Sequence, residues 1–309
     1  MKTLKPILLT GCTASGKSEL AKELAMLSPS LIINADALQV YECWKIISAR
    51  PSQQDMTDFN HSLYGHVNCK DNYDVGSWLD ELKIQLYHAK KRSLRPIIVG
   101  GTGLYYTLLT DGISEIPVVS AQTREKSNEL LGNEPAKLLS DLQQFDEQTF
   151  YNIDRKNFAR VQRAWEVLYE TGKGITYWQS RVLPPTLSIA DTIPVVLNIA
   201  SDKLGDNIKN RFNKMIDLGV IEEVEEVFKK VTTSIENKAS FRAIGVHEIK
   251  NFLDNKIDFK DLEEVIIIKT RQYAKRQRTW FRNKLKGWNL VEIQDNECFK
   301  STAQSIVNI

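Results

Sequence analysis

The stretch that most constrains this chain is Gly11-Cys12-Thr13-Ala14-Ser15-Gly16-Lys17-Ser18, which fits G-x-x-x-x-G-K-[ST]. A short apolar run, Pro6 to Thr10, leads into it. Glu19 to Leu27 follows with the Ala, Leu, Glu and Lys content of a helix. Strand, glycine loop and helix in that order curl the backbone so that several N–H groups converge on an anion, with a helix N-terminus behind them. Gly11, Thr13, Ala14, Ser15, Gly16, Lys17 and Ser18 are the expected phosphate-binding residues. Lys17 adds a positive charge, and Ser18 offers a hydroxyl suited to a magnesium ion. The loop predicts a phosphate-bearing ligand without saying whose phosphates they are.

The pattern continues beyond the loop. Leu31 to Asn34 is a second apolar run, ending at Ala35-Asp36. A helical stretch from about Val75 to Arg92 precedes Pro96 to Val99 and then Gly100-Gly101-Thr102-Gly103. Apolar strands alternating with amphipathic helices predict a parallel α/β sheet, whose functional groups gather past the carboxyl ends of the strands. Asp36 and Thr102 both fall there. Asp36 could ligate magnesium, take a proton from a substrate, or cap a following helix. The Gly100–Gly103 turn serves either a close approach of backbone or a plain strand-to-helix connection.

From about Thr123 to Gln179 the strand signal vanishes, which predicts an inserted all-helical domain over 123–189 with Pro184-Pro185 at its exit. Ile193 to Ile199 reads as a strand returning to the sheet, so the core is expected to be discontinuous, 1–122 and 190–309. The remainder reads as mostly helical: Lys209 to Asp217, Val220 to Val231, and a long helix from about Leu262 to Lys286.

The net charge of +2 says little, but its distribution says more. Between Lys269 and Lys286 stand eight basic residues and no acidic one, with Tyr273, Trp280 and Phe281 interleaved and Trp288 just beyond. Arg155, Lys156, Arg160 and Arg163 add positive charge on the insertion. Cations for phosphates and rings for bases predict an RNA partner. Glu222, Glu223, Glu225 and Glu226 read as a solvated acidic face. No run of about 18 apolar residues occurs, so no membrane span is expected. The first residues leave no room for a signal peptide. Cys12, Cys43, Cys69 and Cys298 are scattered without a C-x-x-C pair, which argues against a disulfide framework or zinc site and predicts a cytoplasmic protein. His61 and His66 lack a visible third metal ligand and read as polar structural residues.

The loop, the stretch Asn34-Ala35-Asp36-Ala37-Leu38-Gln39-Val40-Tyr41 and the stretch Val99-Gly100-Gly101-Thr102-Gly103-Leu104-Tyr105 together resemble the tRNA dimethylallyltransferases, also called tRNA isopentenyltransferases. Asn157 to Val167, Ala243-Ile244-Gly245 and Thr270 to Arg282 agree in the same order, so the resemblance spans about residues 6 to 285. It implies a P-loop NTPase-like parallel-sheet core with an inserted helical domain, and magnesium as cofactor. It also implies that the loop holds dimethylallyl diphosphate instead of a nucleotide. The reaction implied is transfer of the dimethylallyl group to N6 of the adenosine just 3′ of the anticodon in a tRNA stem-loop, with that base flipped into a channel.

Carried over by position, Asp36 would be the general base, Thr102 would contact the reacting region, and Arg124 would help hold substrate. Asp36, Ala37, Leu38 and Gln39 would touch tRNA, as would Ala159, Arg160, Val161, Gln162 and Arg163. Lys275, Arg276 and Arg278 join them from the basic run, and the chain is expected to act as a monomer. Three residues depart from the family pattern: Cys12 for a usual proline, Ala37 for a usual serine, Val246 for a usual tyrosine. None removes a group assigned to chemistry. The rival readings are a P-loop small-molecule kinase, an isopentenyltransferase acting on free adenine nucleotides, and an RNA-binding module with a relic loop. The first lacks a use for the insertion and basic helix, the second for the basic surface, and the third for an intact Lys17, Ser18 and Asp36.

Overall fold

The structure, a computed structural model, describes residues 4–231, 238–293 and 298–309. Its first half alternates β1 (Ile7–Gly11), α1 (Lys17–Leu27), β2 (Ser30–Asn34), α2 (Gln53–Asp58), β3 (His61–Ser62), α3 (Val75–Lys91), β4 (Arg95–Gly100) and α4 (Gly103–Asp111). Five helices follow: α5 (Ala121–Asn133), α6 (Pro135–Phe145), α7 (Glu147–Asn152), α8 (Phe158–Thr171) and α9 (Ile175–Gln179). The rest is β5 (Ile193–Ile199), α10 (Ser201–Asp217), α11 (Val220–Lys230), α12 (Val246–Leu253), α13 (Phe259–Lys284), β6 (Asn289–Ile293) and α14 (Phe299–Val307).

The six strands form one sheet in the order β3-β2-β4-β1-β5-β6, every neighbouring pair parallel. A parallel sheet is covered on both faces, and β1, β2 and β4 are buried along their whole length, which is why they read as unbroken apolar runs. In register, Ile7 lies opposite Ile97 on one side and Ile193 on the other. The carboxyl ends of β1, β2 and β4 therefore open onto the same edge. Leu20 and Leu24 of α1 pack on this sheet together with Phe299, Ala303 and Ile306 of α14. A second core joins Trp44 and Ile47 to Phe212, Val224, Val246 and Ile266.

Two elements run beyond their sequence signal. α10 begins at Ser201, ahead of the expected Lys209, because Leu204, Ile208 and Phe212 form one buried stripe that carries the helix through Asp202, Gly205 and Asp206. β6 gave no apolar run because it is an edge strand with a single buried residue, Ile293.

The chain divides into two compact units, one of residues 1–110 and 186–309, the other Asp111–Pro185. The insertion opens earlier than the expected 123 and closes before 189. Its two ends are tied to each other: Leu183 N–H donates to Ile113 O at 2.9 Å, Glu115 N–H donates to Arg181 O at 3.1 Å, and Ser114 bridges Val182. Within it, Leu138, Leu142, Val161, Ala164 and Trp165 form a core of their own. Among the described residues, no helix is long and apolar enough to cross a membrane.

Candidate active site

Past the carboxyl end of β1 the backbone turns through Ala14 at φ 60° and Gly16 at φ 88° before α1 begins. Both lie in the left-handed region, and at Gly16 a Cβ would also stand 2.4 Å from Phe299 Cζ, so only glycine fits. Ser15 Oγ is buried with no hydrogen-bond partner among the described residues. Ser18 is exposed at the first turn of α1. Lys17 Nζ donates to Cys12 O at 2.7 Å. Removal from water lowers the Lys17 pKa from 10.5 to about 8; Cys12 and Asp36 oppose the shift, and Arg211 adds to it.

The loop is braced from two later helices. Thr13 N–H donates to Gln277 Oε1 at 2.8 Å, and Arg211 Nη1 donates to Thr13 Oγ1 at 2.9 Å. Asn207 Nδ2 donates to Ala14 O at 3.1 Å. Gln277 Nε2 reaches onward to Gly101 O at 2.8 Å. A Cβ at Gly101 would stand 2.5 Å from that nitrogen, and one at Gly100 would stand 2.1 Å from Ala35 backbone. The second glycine turn is thus a close-approach turn.

Asp36 does not cap a helix. The backbone after it runs in turns as far as α2, and its Oδ1 accepts from Leu38 N–H at 3.0 Å inside the first of them. Asn34 holds the segment from behind: its Oδ1 accepts from Asp36 N–H at 2.9 Å, and its Nδ2 donates to Asp36 O and Leu63 O, each at 3.0 Å. Thr102 Oγ1 accepts from Ala37 N–H at 3.0 Å. Asp36 and Thr102, far apart in sequence, are therefore neighbours, and the second Asp36 oxygen, Oδ2, lies towards the Gly101 turn.

The phosphate loop, Asp36 and the Gly100-Gly101 backbone share one cleft of about 450 Å³, with Thr102 behind its lining. Thr13 to Ser18 form its floor beside Asp36, Leu38 and Gln39. Arg211, Tyr64, Tyr273, Arg276 and Gln277 complete the walls. Burial raises the Tyr64 and Tyr273 phenol pKa values, with the Asp36 carboxylate adding to it, so both stay neutral donors. Burial lowers the Arg211 guanidinium pKa, against the pull of Asp36. The cleft therefore sets Lys17, Arg211 and a ring of amides beside the Asp36 carboxylate, with Arg242, Arg276 and Glu19 also on its lining. Such a site can hold a diphosphate and accept a proton from a neighbouring nucleophile. A larger cavity, about 970 Å³, runs along a different face of α13 between Arg271, Lys275, Arg278 and Arg282, and holds none of these reactive groups.

Nothing local in the sequence marks Tyr64, Arg211, Tyr273 and Gln277 as cleft residues; of the residues expected to meet tRNA outside the Asp36 segment, Arg276 reaches the cleft and the others do not line it. Lys275 and Arg276 are exposed on α13, while Arg278 Nη1 donates to Ser201 Oγ at 2.9 Å. Arg124 is exposed on α5, in the insertion. Ala159 and Arg160 are exposed on α8, and Arg163 sits 3.6 Å from the Glu166 carboxylate. Val161 is corrected: it is fully buried in the insertion core and offers no surface to RNA. Gln162 spends its amide on Ser127 and Asn128, at 2.9 and 2.8 Å. Glu223 is corrected too. It accepts hydrogen bonds from three backbone amides and is not a solvated face residue.

Comparison with known proteins finds similarity over most of the chain. The IPP transferase family matches residues 39–284. A tRNA dimethylallyltransferase of Cereibacter sphaeroides (strain KD131) is 41% identical over 94% of this chain and 89% of its own length. One of Ruegeria sp. (strain TM1040) is 42% identical over 94% and 96%. Among solved structures, a eukaryotic dimethylallyltransferase acting on tRNA superposes with a TM-score of 0.84 at 25% identity, over 98% of this chain and 78% of that one. A tRNA isopentenylpyrophosphate transferase from Staphylococcus epidermidis gives 0.67 at 26% identity, over 98% and 99%.

Proposed function

The chain belongs to the IPP transferase family of tRNA dimethylallyltransferases, and from that premise we propose how its cleft moves a dimethylallyl group from dimethylallyl diphosphate to N6 of the adenosine 3′ of the anticodon. The observation that carries this reading is the convergence of the phosphate loop, Asp36 and the Gly100-Gly101 turn on one cleft whose wall includes Thr270, Tyr273, Arg276 and Gln277 of the basic helix α13.

The diphosphate lies on the amides of Ala14, Gly16, Lys17 and Ser18, with Lys17 and Arg211 as cations and the unpartnered Ser15 hydroxyl as a further donor, while the Thr13 amide stays on Gln277. Magnesium fits the oxygen donors here, with Ser18 as its protein ligand, and when bound it would offset the charge of the diphosphate. The target base leaves its stack to enter the cleft between Asp36, Leu38 and Gln39. An exocyclic amine is a weak nucleophile, so Asp36 takes its proton as the N6–carbon bond forms and the carbon–oxygen bond to diphosphate breaks. The departing oxygens gather negative charge, which the loop amides, Lys17 and Arg211 stabilise. Thr102 holds the Asp36 segment in place through the Ala37 amide. Arg160 and Arg163 on the insertion, and Lys275, Arg276 and Arg278 on α13, serve tRNA phosphates, Ala159 offers a contact beside Arg160, and Arg124 helps hold substrate. A monomer in the cytoplasm suffices for this chemistry.

Calorimetry tests the donor assignment. Dimethylallyl diphosphate with magnesium should bind more tightly than ATP, and tight ATP binding without donor binding would return the chain to the kinase reading.

A further inference from the structure

Three consecutive backbone N–H groups converge on one carboxylate. Glu223 Oε1 accepts from Lys45 at 2.7 Å and from Ile46 at 2.9 Å, and Oε2 accepts from Ile47 at 2.9 Å. Glu223 stands half-buried in the first turn of α11, while Glu222 and Glu226 are exposed. A carboxylate that accepts several amide N–H groups forms strong charge-assisted bonds. The backbone it grips belongs to the cleft. Ile47, Ser48 and Ala49 line it, and Ala49 adopts φ 51°, a left-handed position in a non-glycine residue. The carbonyls of this turn hold a side chain in their own right: Gln39 Nε2 donates to Ser48 O at 2.9 Å and to Ala49 O at 3.1 Å. Ile47 in turn packs in one core with Val224, the residue after Glu223.

We infer that Glu223 is a positioning residue for the transfer reaction: through the amides of Lys45, Ile46 and Ile47 it sets the turn against which Gln39 is held, and so fixes the wall where the tRNA nucleotide enters. This rests on the proposed function in one respect, that Gln39 faces the tRNA. Glu223 itself touches no substrate. Without its carboxylate three N–H groups lose their acceptor, one of them on buried Ile47, and the seat of Gln39 is released. Glu223→Gln replaces one acceptor oxygen with an NH2 group facing a backbone donor, at nearly unchanged size.

The test compares full-length wild type, Glu223→Gln, Gln39→Ala and the double variant, reading tRNA KM, kcat and dimethylallyl diphosphate affinity. Glu223→Gln should raise the tRNA KM about tenfold, the loss of roughly one charge-assisted bond, with donor affinity unchanged. In the Gln39→Ala background the same change should cost less than half as much, because the two residues act through one turn. Additive losses or an unchanged tRNA KM would overturn the inference. So would a donor affinity that falls in parallel, which marks a general loosening. If Glu223→Gln does not fold, Glu223→Asp, which keeps the charge, enters the same cycle. Should wild type transfer no prenyl group at all, the function reading fails separately. The latch is then judged by amide hydrogen exchange: Glu223→Gln should strip protection from Lys45 to Ile47, and retained protection would overturn it.

Discussion

Gln277 takes the Thr13 amide as a hydrogen-bond donor at 2.8 Å, tying the basic helix α13 to the phosphate loop across 264 residues of chain. Its other end grips Gly101 O, so one buried side chain joins both glycine turns to the helix that carries the positive charge. Gln277→Leu leaves an amide and a carbonyl unsatisfied near the phosphates. Stability should fall by about 1–3 kcal/mol, and donor affinity should fall with it. Denaturant titration and calorimetry read the two losses. A variant as stable and as tight as wild type would show that the bridge is dispensable.

Lys17 links donor binding to pH. Its pKa, lowered from 10.5 to about 8, lies below the unfolded value, so burial penalises the charged form. The penalty is present in full below about pH 8 and fades as pH rises towards the ordinary lysine range. A bound diphosphate favours the charged form, so donor binding at about pH 8–9 should take up a proton. Calorimetry in buffers of different ionisation enthalpy should detect this uptake in wild type and find none in Lys17→Ala. The variant should bind donor about 10- to 100-fold more weakly, having lost a charge-assisted contact. Equal uptake in both proteins would assign the proton elsewhere.

Asp36→Asn keeps the Oδ1 that accepts the Leu38 amide but loses the base. Single-turnover alkylation should slow by about 10²–10⁴, with donor and tRNA binding little changed. A near-normal single-turnover rate would remove Asp36 from proton transfer.

Replacing Lys275, Arg276 and Arg278 with glutamine should flatten the salt dependence of tRNA affinity. Each lost phosphate contact should lower the slope by about 0.7–0.9. Arg278 also spends a donor on Ser201 Oγ, so its share should be smallest. Diphosphate binding should persist in Lys275→Gln and Arg278→Gln, whose side chains lie outside the cleft that Arg276 lines. Parallel slopes across a salt series would mean that these cations face away from RNA.

The parts legible in the sequence were those that local chemistry dictates. β5 spans Ile193–Ile199 as its apolar run foretold, and the loop announced itself through Gly11, Gly16 and Lys17. Gln277 and Arg211 gave no such signal, because their partner Thr13 lies 264 and 198 residues away and nothing local marks a glutamine in a basic run. Glu223 looked like one more charge on an acidic helix because its partners are backbone amides, which leave no trace in residue identity. Val161 is different, since a signal existed. Val161, Ala164, Trp165 and Leu168 repeat at helical spacing, and that stripe forms the insertion core with Leu138 and Leu142.

The central claim is that this cleft prenylates a tRNA adenine, and one measurement reaches it directly. Purified protein is incubated with unmodified tRNA, magnesium and dimethylallyl diphosphate, and the digested nucleosides are analysed by mass spectrometry. N6-dimethylallyl adenosine should appear at the position 3′ of the anticodon, depend on the donor, and form far more slowly in Lys17→Ala at limiting donor and in Asp36→Asn. Unmodified adenosine at that position throughout, from protein shown to bind both tRNA and donor, would contradict the account.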